Sequence, residues 1–250
     1  WCLLTEKRRF RWIEAVVGKG IQGFLKNDSV ARIVGMKSVS KKVQLRQEKI
    51  NQQLQQVDVI LALGTLTRDL VLQQGVDPEK IILSPNGLNT SSWQKTTVYK
   101  SPSQKLRMGY LGNLVPIKGT HILIQAFRQL IPKHKDLELQ IYGSPSKDPR
   151  YASNLKWLAG GDERIYFKGA YQNQRIPEIF RDLDILIVPS LWNEVCPLVV
   201  LEGHACLTPV IVSNLPNMST QIIDGVDGLA FEAGNIEALA HVLQRIIDEP

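Results

Sequence analysis

From residue 57 onward, short apolar runs rich in β-branched residues alternate with stretches whose apolar positions recur every three or four residues. The short runs fall at 57–63, 80–84, 106–111, 137–142, 164–167, 185–188 and 210–212, and the clearest helical stretches at 120–130 and 236–247. Apolar runs of this length between amphipathic helices predict parallel strands covered on both faces. The alternation predicts an α/β fold built on a doubly wound sheet. Ligands of such sheets sit beyond the carboxyl ends of the strands, beside helix N-termini. Residues 89–104 lack either period and are rich in Ser, Thr and Lys, which reads as a linker. The pattern therefore predicts two regions. Residues 1–102 hold the tail of a preceding domain plus the linker, and 103–250 form one α/β unit.

Composition narrows the class without identifying it. The chain has 250 residues, 44% hydrophobic and 22% charged, with 18 Gly and 13 Pro, as in ordinary globular domains. Three cysteines without paired spacing give no disulfide framework and no zinc pattern, so a reducing, cytoplasmic compartment is the expectation. No apolar run approaches the roughly 20 residues that span a bilayer. The sequence opens with Trp1 and ends at Pro250 directly after a helical pattern, and reads as a fragment. Residues 1–50 hold twelve Lys or Arg against four Asp or Glu, while the whole chain is +6. Within this basic end, residues 10–26 carry an apolar stripe beside cations. That pattern serves either a peripheral contact with the cytoplasmic face of a membrane or packing against the chain's own domain. The scattered aromatics match no RNA-binding pattern, and nucleic acid is not expected.

The residue pattern that carries chemistry follows the run at 185–188. Glu194 and Glu202 are separated by seven residues, with Pro197 between them. Pro suits the first position of a helix, so a helix is expected to begin at Pro197, with Glu194 in the loop before it. Glu202 then lies about one and a half turns inside, roughly 7 Å along the axis. Its neighbours are apolar on nearly all sides, which predicts a buried helix and a costly carboxylate that needs donors. A ribose diol would supply them, and the free amides of the helix start could hold a diphosphate. A capping Glu194 with a salt-bridged Glu202 fits the spacing too. A second pattern, Gly109-Tyr110-Leu111-Gly112-Asn113-Leu114-Val115-Pro116-Ile117-Lys118-Gly119, runs off one strand and into a helix. Glycines there admit close backbone approach, and Lys118 offers a point charge for phosphate, or is simply solvated beside a tight turn.

Taken with Tyr142-Gly143, Phe167-Lys168-Gly169, Pro189-Ser190, Thr208-Pro209-Val210 and Asp224-Gly225-Val226-Asp227-Gly228, these motifs stand in a recognisable order. The chain resembles the retaining glycosyltransferases of the glycogen synthase and phosphatidylinositol mannosyltransferase type (GT-B fold, glycosyl transferases group 1), over about residues 57–248. The resemblance implies two facing Rossmann-like domains, the second incomplete here, with 103–250 as the nucleotide-sugar domain. It implies transfer of a sugar from a nucleoside diphosphate sugar to an unknown hydroxyl acceptor, a sugar or lipid-linked glycan, with retention and without metal or other cofactor. It assigns Lys118 and Glu194 to catalysis, and Glu202 to the ribose. Gly112, Asn113, Cys196, Pro197, Leu198 and Val199 would line the phosphates and sugar, and Tyr142, Gly143, Ser144, Gly169 and Tyr171 would flank the base.

Three positions depart from the family pattern. Asn113 stands where Arg is common, Leu207 where a helix-ending Gly is usual, and Gln221 where Glu is expected. They keep open the alternative of a non-catalytic nucleotide-sugar-binding or scaffold protein on the same fold. Asp182-Leu183-Asp184 resembles a metal-binding Asp-x-Asp but leads straight into an apolar run, which favours a structural role.

Overall fold

The computed structural model describes residues 37–91, 93 and 99–249. The stripe at residues 10–26 lies outside them. Helix α1 (Lys37–Gln56), strand β1 (Ile60–Ala62), helix α2 (Thr65–Leu72) and strand β2 (Ile81–Leu83) come first. Six strand–helix steps follow: β3 (Leu106–Leu111), α3 (Thr120–Leu130), β4 (Leu137–Tyr142), α4 (Pro149–Ala159), β5 (Ile165–Gly169), α5 (Ile176–Arg181), β6 (Ile185–Val188), α6 (Leu198–Ala205), β7 (Val210–Ser213), α7 (Pro216–Ser219), β8 (Gly228–Phe231) and α8 (Ile236–Asp248).

Contacts divide the chain into two compact units. The described part of the smaller is 37–60 with Gln74–Lys80, in which Lys80 donates to the carbonyls of Gln55 and Val57 at the end of α1. The larger comprises Leu61–Gln73 and Ile81 onward. Its six-stranded sheet has the order β5-β4-β3-β6-β7-β8, and every adjacent pair is parallel. The chain starts in the middle at β3, builds outward to β5, then returns to β6 and builds the other way. The reversal between β3 and β6 is the switch point at which doubly wound sheets open a crevice.

Alternation along the strands explains why both faces close. In β6, Ile185 and Ile187 enter a core shared with Phe127 of α3, Leu155 of α4 and Leu243 of α8. Leu186 and Val188 enter the opposite core with Phe180 of α5, Val200 of α6 and Met218 of α7. The strand runs at 106–111, 137–142 and 185–188 and the helix at 120–130 stand as expected, and the other runs keep their centres. Helix α4 has its ends marked in the sequence: Asp148 caps the Tyr151 amide at 3.0 Å, Pro149 opens it, and Gly160 closes it at φ 67°.

Two cations, Arg107 at the start of β3 and Lys100 before it, tie this region to the residues leading into β6 and β7. Arg107, 7% exposed, donates from Nε and Nη2 to both oxygens of Asp184, whose Oδ2 also takes the Arg107 amide at 2.7 Å. Asp184 is therefore a structural anchor, as its lead into a strand suggested. Lys100, in the stretch read as a linker, spends its three protons on Phe180 O, Leu183 O and Thr208 Oγ1. Among the described residues no helix is long and apolar enough to cross a membrane.

Candidate functional site

The carboxyl ends of β3 and β6 carry the two sequence motifs to the same place. After β3 the chain turns at Gly112, passes through a short helical turn at Pro116–Lys118, and enters α3 at Gly119. After β6 it runs through Pro189 and Ser190 to Glu194 and then α6. The loops lock together because Gly119, at φ 69°, lies against the Pro189 carbonyl. A β-carbon at Gly119 would sit 1.8 Å from that oxygen, which no side chain permits. The Leu191 amide adds a bond to Ile117 O at 2.8 Å.

Across this junction Lys118 Nζ meets Glu194 Oε1 at 2.5 Å, and the buried Ser190 hydroxyl donates to the same oxygen at 2.7 Å. Side-chain exposures of 28% and 15% leave both groups partly accessible. The capping role weighed for Glu194 is not what it does; its carboxylate answers to Lys118 and Ser190.

Glu202 differs. Its carboxylate has no ion pair or hydrogen bond among the described residues, and burial pushes its pKa above the usual carboxylate value. Burial, then the nearby Glu202 charge, pushes the Tyr171 phenol up to about 12. The Tyr171 ring stands edge-on to Tyr142 with centroids 6.2 Å apart. Tyr142 donates to Gln140 Oε1, which fixes its ring at the end of β4. Sequence-distant residues expected to flank one ligand are thus neighbours.

Two expectations about α6 need correction. Pro197 is the cap, in extended conformation, and the helix starts one residue later at Leu198. Nor is the helix buried all round. Only Val200 and Gly203 are buried, Val199 packs partly against the core, and Leu198 is 46% exposed. Its first amides, including those of Leu198 and Val199, have no partner within the helix. Cys196 lies just before them, its carbonyl accepting a bond of 3.4 Å from Asn86.

Gly143 packs so closely on the Gly112 carbonyl that a β-carbon would come within 2.2 Å. Asn113 is exposed, Ser144 caps the Ser146 amide, and Gly169 ends β5 at φ 78°. Leu207 takes the left-handed conformation usual for Gly, at φ 53°. Gln221 donates to Asn217 O, while its Oε1 and His204 Nε2 are buried without a partner among the described residues. Among those residues no three His, Cys, Asp or Glu side chains group as a metal site.

The family profile described as "Glycosyl transferases group 1" matches residues 91–250. A curated relative, D-inositol 3-phosphate glycosyltransferase of Stackebrandtia nassauensis, is 27% identical over 187 residues, 69% of this chain and 42% of the relative. Among solved structures, a glycosyltransferase from Rickettsia africae superposes with a TM-score of 0.72 at 20% identity, covering 80% of this chain and 57% of that one. Anabaena HepE, solved with UDP and glucose, gives 0.66 at 20% identity, covering 77% and 54%. The chain spans less than half the length of the curated relative it matches.

Proposed function

Because the chain belongs to the glycosyl transferases group 1 family and carries its Rossmann-like sheet of GT-B type, we propose that it supplies the nucleotide-sugar half of a retaining glycosyltransferase. The observation that carries this reading is a paired Lys118–Glu194 astride the switch point, together with a half-buried Glu202 on α6 whose carboxylate has no partner among the described residues. Residues 103–250 hold the donor, and 1–102 are the tail of the acceptor-side domain plus the linker. Glu202 accepts the two ribose hydroxyls, which replace the water its carboxylate has lost. Lys118, the Gly112–Asn113 turn and the amides of Cys196, Leu198 and Val199 surround the diphosphate, and Pro197 holds the helix start in place. Tyr142, Gly143, Ser144, Gly169 and Tyr171 line the base.

In the reaction the bond from the anomeric carbon to the diphosphate breaks, and one to the acceptor oxygen forms on the same face. The acceptor proton leaves with the diphosphate. Lys118 and the helix-start amides offset the growing negative charge, the kind of preorganised help that is often the largest catalytic contribution. Glu194 meets hydroxyls of the sugar. These groups suffice without a metal. The acceptor, a sugar or lipid-linked glycan, docks mainly on the other domain.

Calorimetric titration of the chain with UDP, GDP and ADP tests the donor site, UDP first because HepE was solved with it. One diphosphate is expected to bind, and Glu202→Gln to weaken it at least tenfold. Absence of binding to all three rejects the reading. Donor hydrolysis by the whole protein separates enzyme from scaffold: Glu194→Gln should abolish it, and equal rates would favour the scaffold.

A further inference from the structure

Tyr110 is the fifth residue of β3 and only 2% exposed, yet it carries a hydroxyl into an apolar core. That hydroxyl leaves the strand and donates to the carbonyl of Asn113 at 2.8 Å, reaching across the glycine turn. The same carbonyl accepts the Val115 amide at 3.0 Å. The turn is wrapped tightly on the phenol, since a β-carbon at Gly112 would lie 2.9 Å from the Tyr110 oxygen. On its other side, the Gly112 amide donates to Tyr142 O and the Gly112 carbonyl lies against Gly143. Lys118 hangs from this turn through a bond from its amide to Val115 O at 3.0 Å.

A carbonyl held inward by two donors cannot swing outward toward an incoming anion. The peptide groups of a turn are coupled, so fixing this oxygen also fixes the amides on either side and the start of the Lys118 turn. We propose that Tyr110 is a positioning residue for diphosphate binding, acting through its hydroxyl on the Asn113 carbonyl and so on the Gly112–Lys118 turn. Burial raises the phenol's pKa well above the ordinary value of 10, so it remains a donor throughout the working pH range. The hydroxyl contacts no ligand itself. The inference rests on the donor-site reading above and adds to it a residue outside the motif's own glycines and lysine.

Tyr110→Phe removes one oxygen and keeps the ring that packs in the core. Titration of the chain with UDP, GDP and ADP, each beside its parent nucleoside, is the test. For whichever pair binds, Tyr110→Phe should weaken the diphosphate about tenfold and leave the nucleoside within twofold, because only the phosphate turn is released. Amide exchange gives a second readout: the Val115 and Lys118 amides should exchange faster in the variant, with those of β4 and β6 unchanged. A wild type that binds while the variant loses diphosphate and nucleoside equally, or neither, overturns the role of Tyr110 and leaves the donor site standing. A wild type that binds no diphosphate removes both.

Discussion

Lys118 and Glu194 come from loops 76 residues apart and share one 2.5 Å contact at the point where the sheet reverses its winding. In the unliganded protein the anion that neutralises Lys118 is therefore one of the chain's own. A diphosphate must draw the ammonium away from that carboxylate, or share it.

Glu194→Gln is accordingly expected to tighten nucleoside diphosphate binding about threefold to tenfold, while Lys118→Gln weakens it about tenfold or more, the sizes that about 0.7–1.4 kcal/mol would give. Calorimetry at two salt concentrations checks this, and the gain should shrink at the higher one. Weakening by both variants would mean that the carboxylate assists the phosphates rather than competing with them.

A different pH dependence belongs to Glu202. Burial raises its folded pKa above the ordinary 4.5, so the folded state holds the proton more tightly than the unfolded one. Its contribution to stability is then fully present below 4.5 and is lost as pH rises through the folded value. Glu202→Gln should raise the melting temperature at pH 7, and the gain should vanish in acid. Nucleoside diphosphate affinity should follow the opposite course, falling as pH drops through the folded pKa, and titrations between pH 4 and 8 would reveal it.

The sheet and both site motifs were legible because both follow periodic or punctuated patterns. Strands such as Ile185–Val188 declare themselves by being apolar at every position, which two-faced burial demands. Lys118 and Glu194 could be named from their motifs, but not as partners, since their contact depends on the Gly119 approach to Pro189. Strand β8 escaped notice because it is short and begins with Gly228, packed against the Val210 carbonyl. The burial of α6 was overestimated because its uniformly apolar sequence does not mark which positions are buried. Lys100 looked like linker charge, and only its three oxygen partners show otherwise.

Leu207 is the one non-glycine residue at positive φ among the described residues, and its side chain is 78% exposed. The left-handed conformation costs an ordinary residue about 1–2 kcal/mol, partly offset against Gly by the greater freedom of a glycine in the unfolded chain. Leu207→Gly should therefore stabilise the chain by about 0.5–1 kcal/mol in urea denaturation. Leu207→Ala, which keeps the strain, should give no comparable gain.

Asp184 answers to acid. Burial alone would raise its pKa, but the side-chain and backbone bonds from Arg107 outweigh this and hold it below 3.8. The stability it contributes is present above the unfolded value of 3.8 and is lost as pH falls through the lower folded one. Asp184→Asn should cost about 3 kcal/mol near neutrality, because it leaves Arg107 buried beside a neutral amide. Denaturant curves at pH 7 and pH 2.5 should show that penalty and its decline.

At Gly119 the phosphate-side turn has no clearance from the Pro189 carbonyl, so neither loop can drift without dragging the other. For anyone redesigning donor preference, the two segments are a single inheritable cassette: a turn transplanted from another sugar transferase will seat only if the stretch after β6 travels with it.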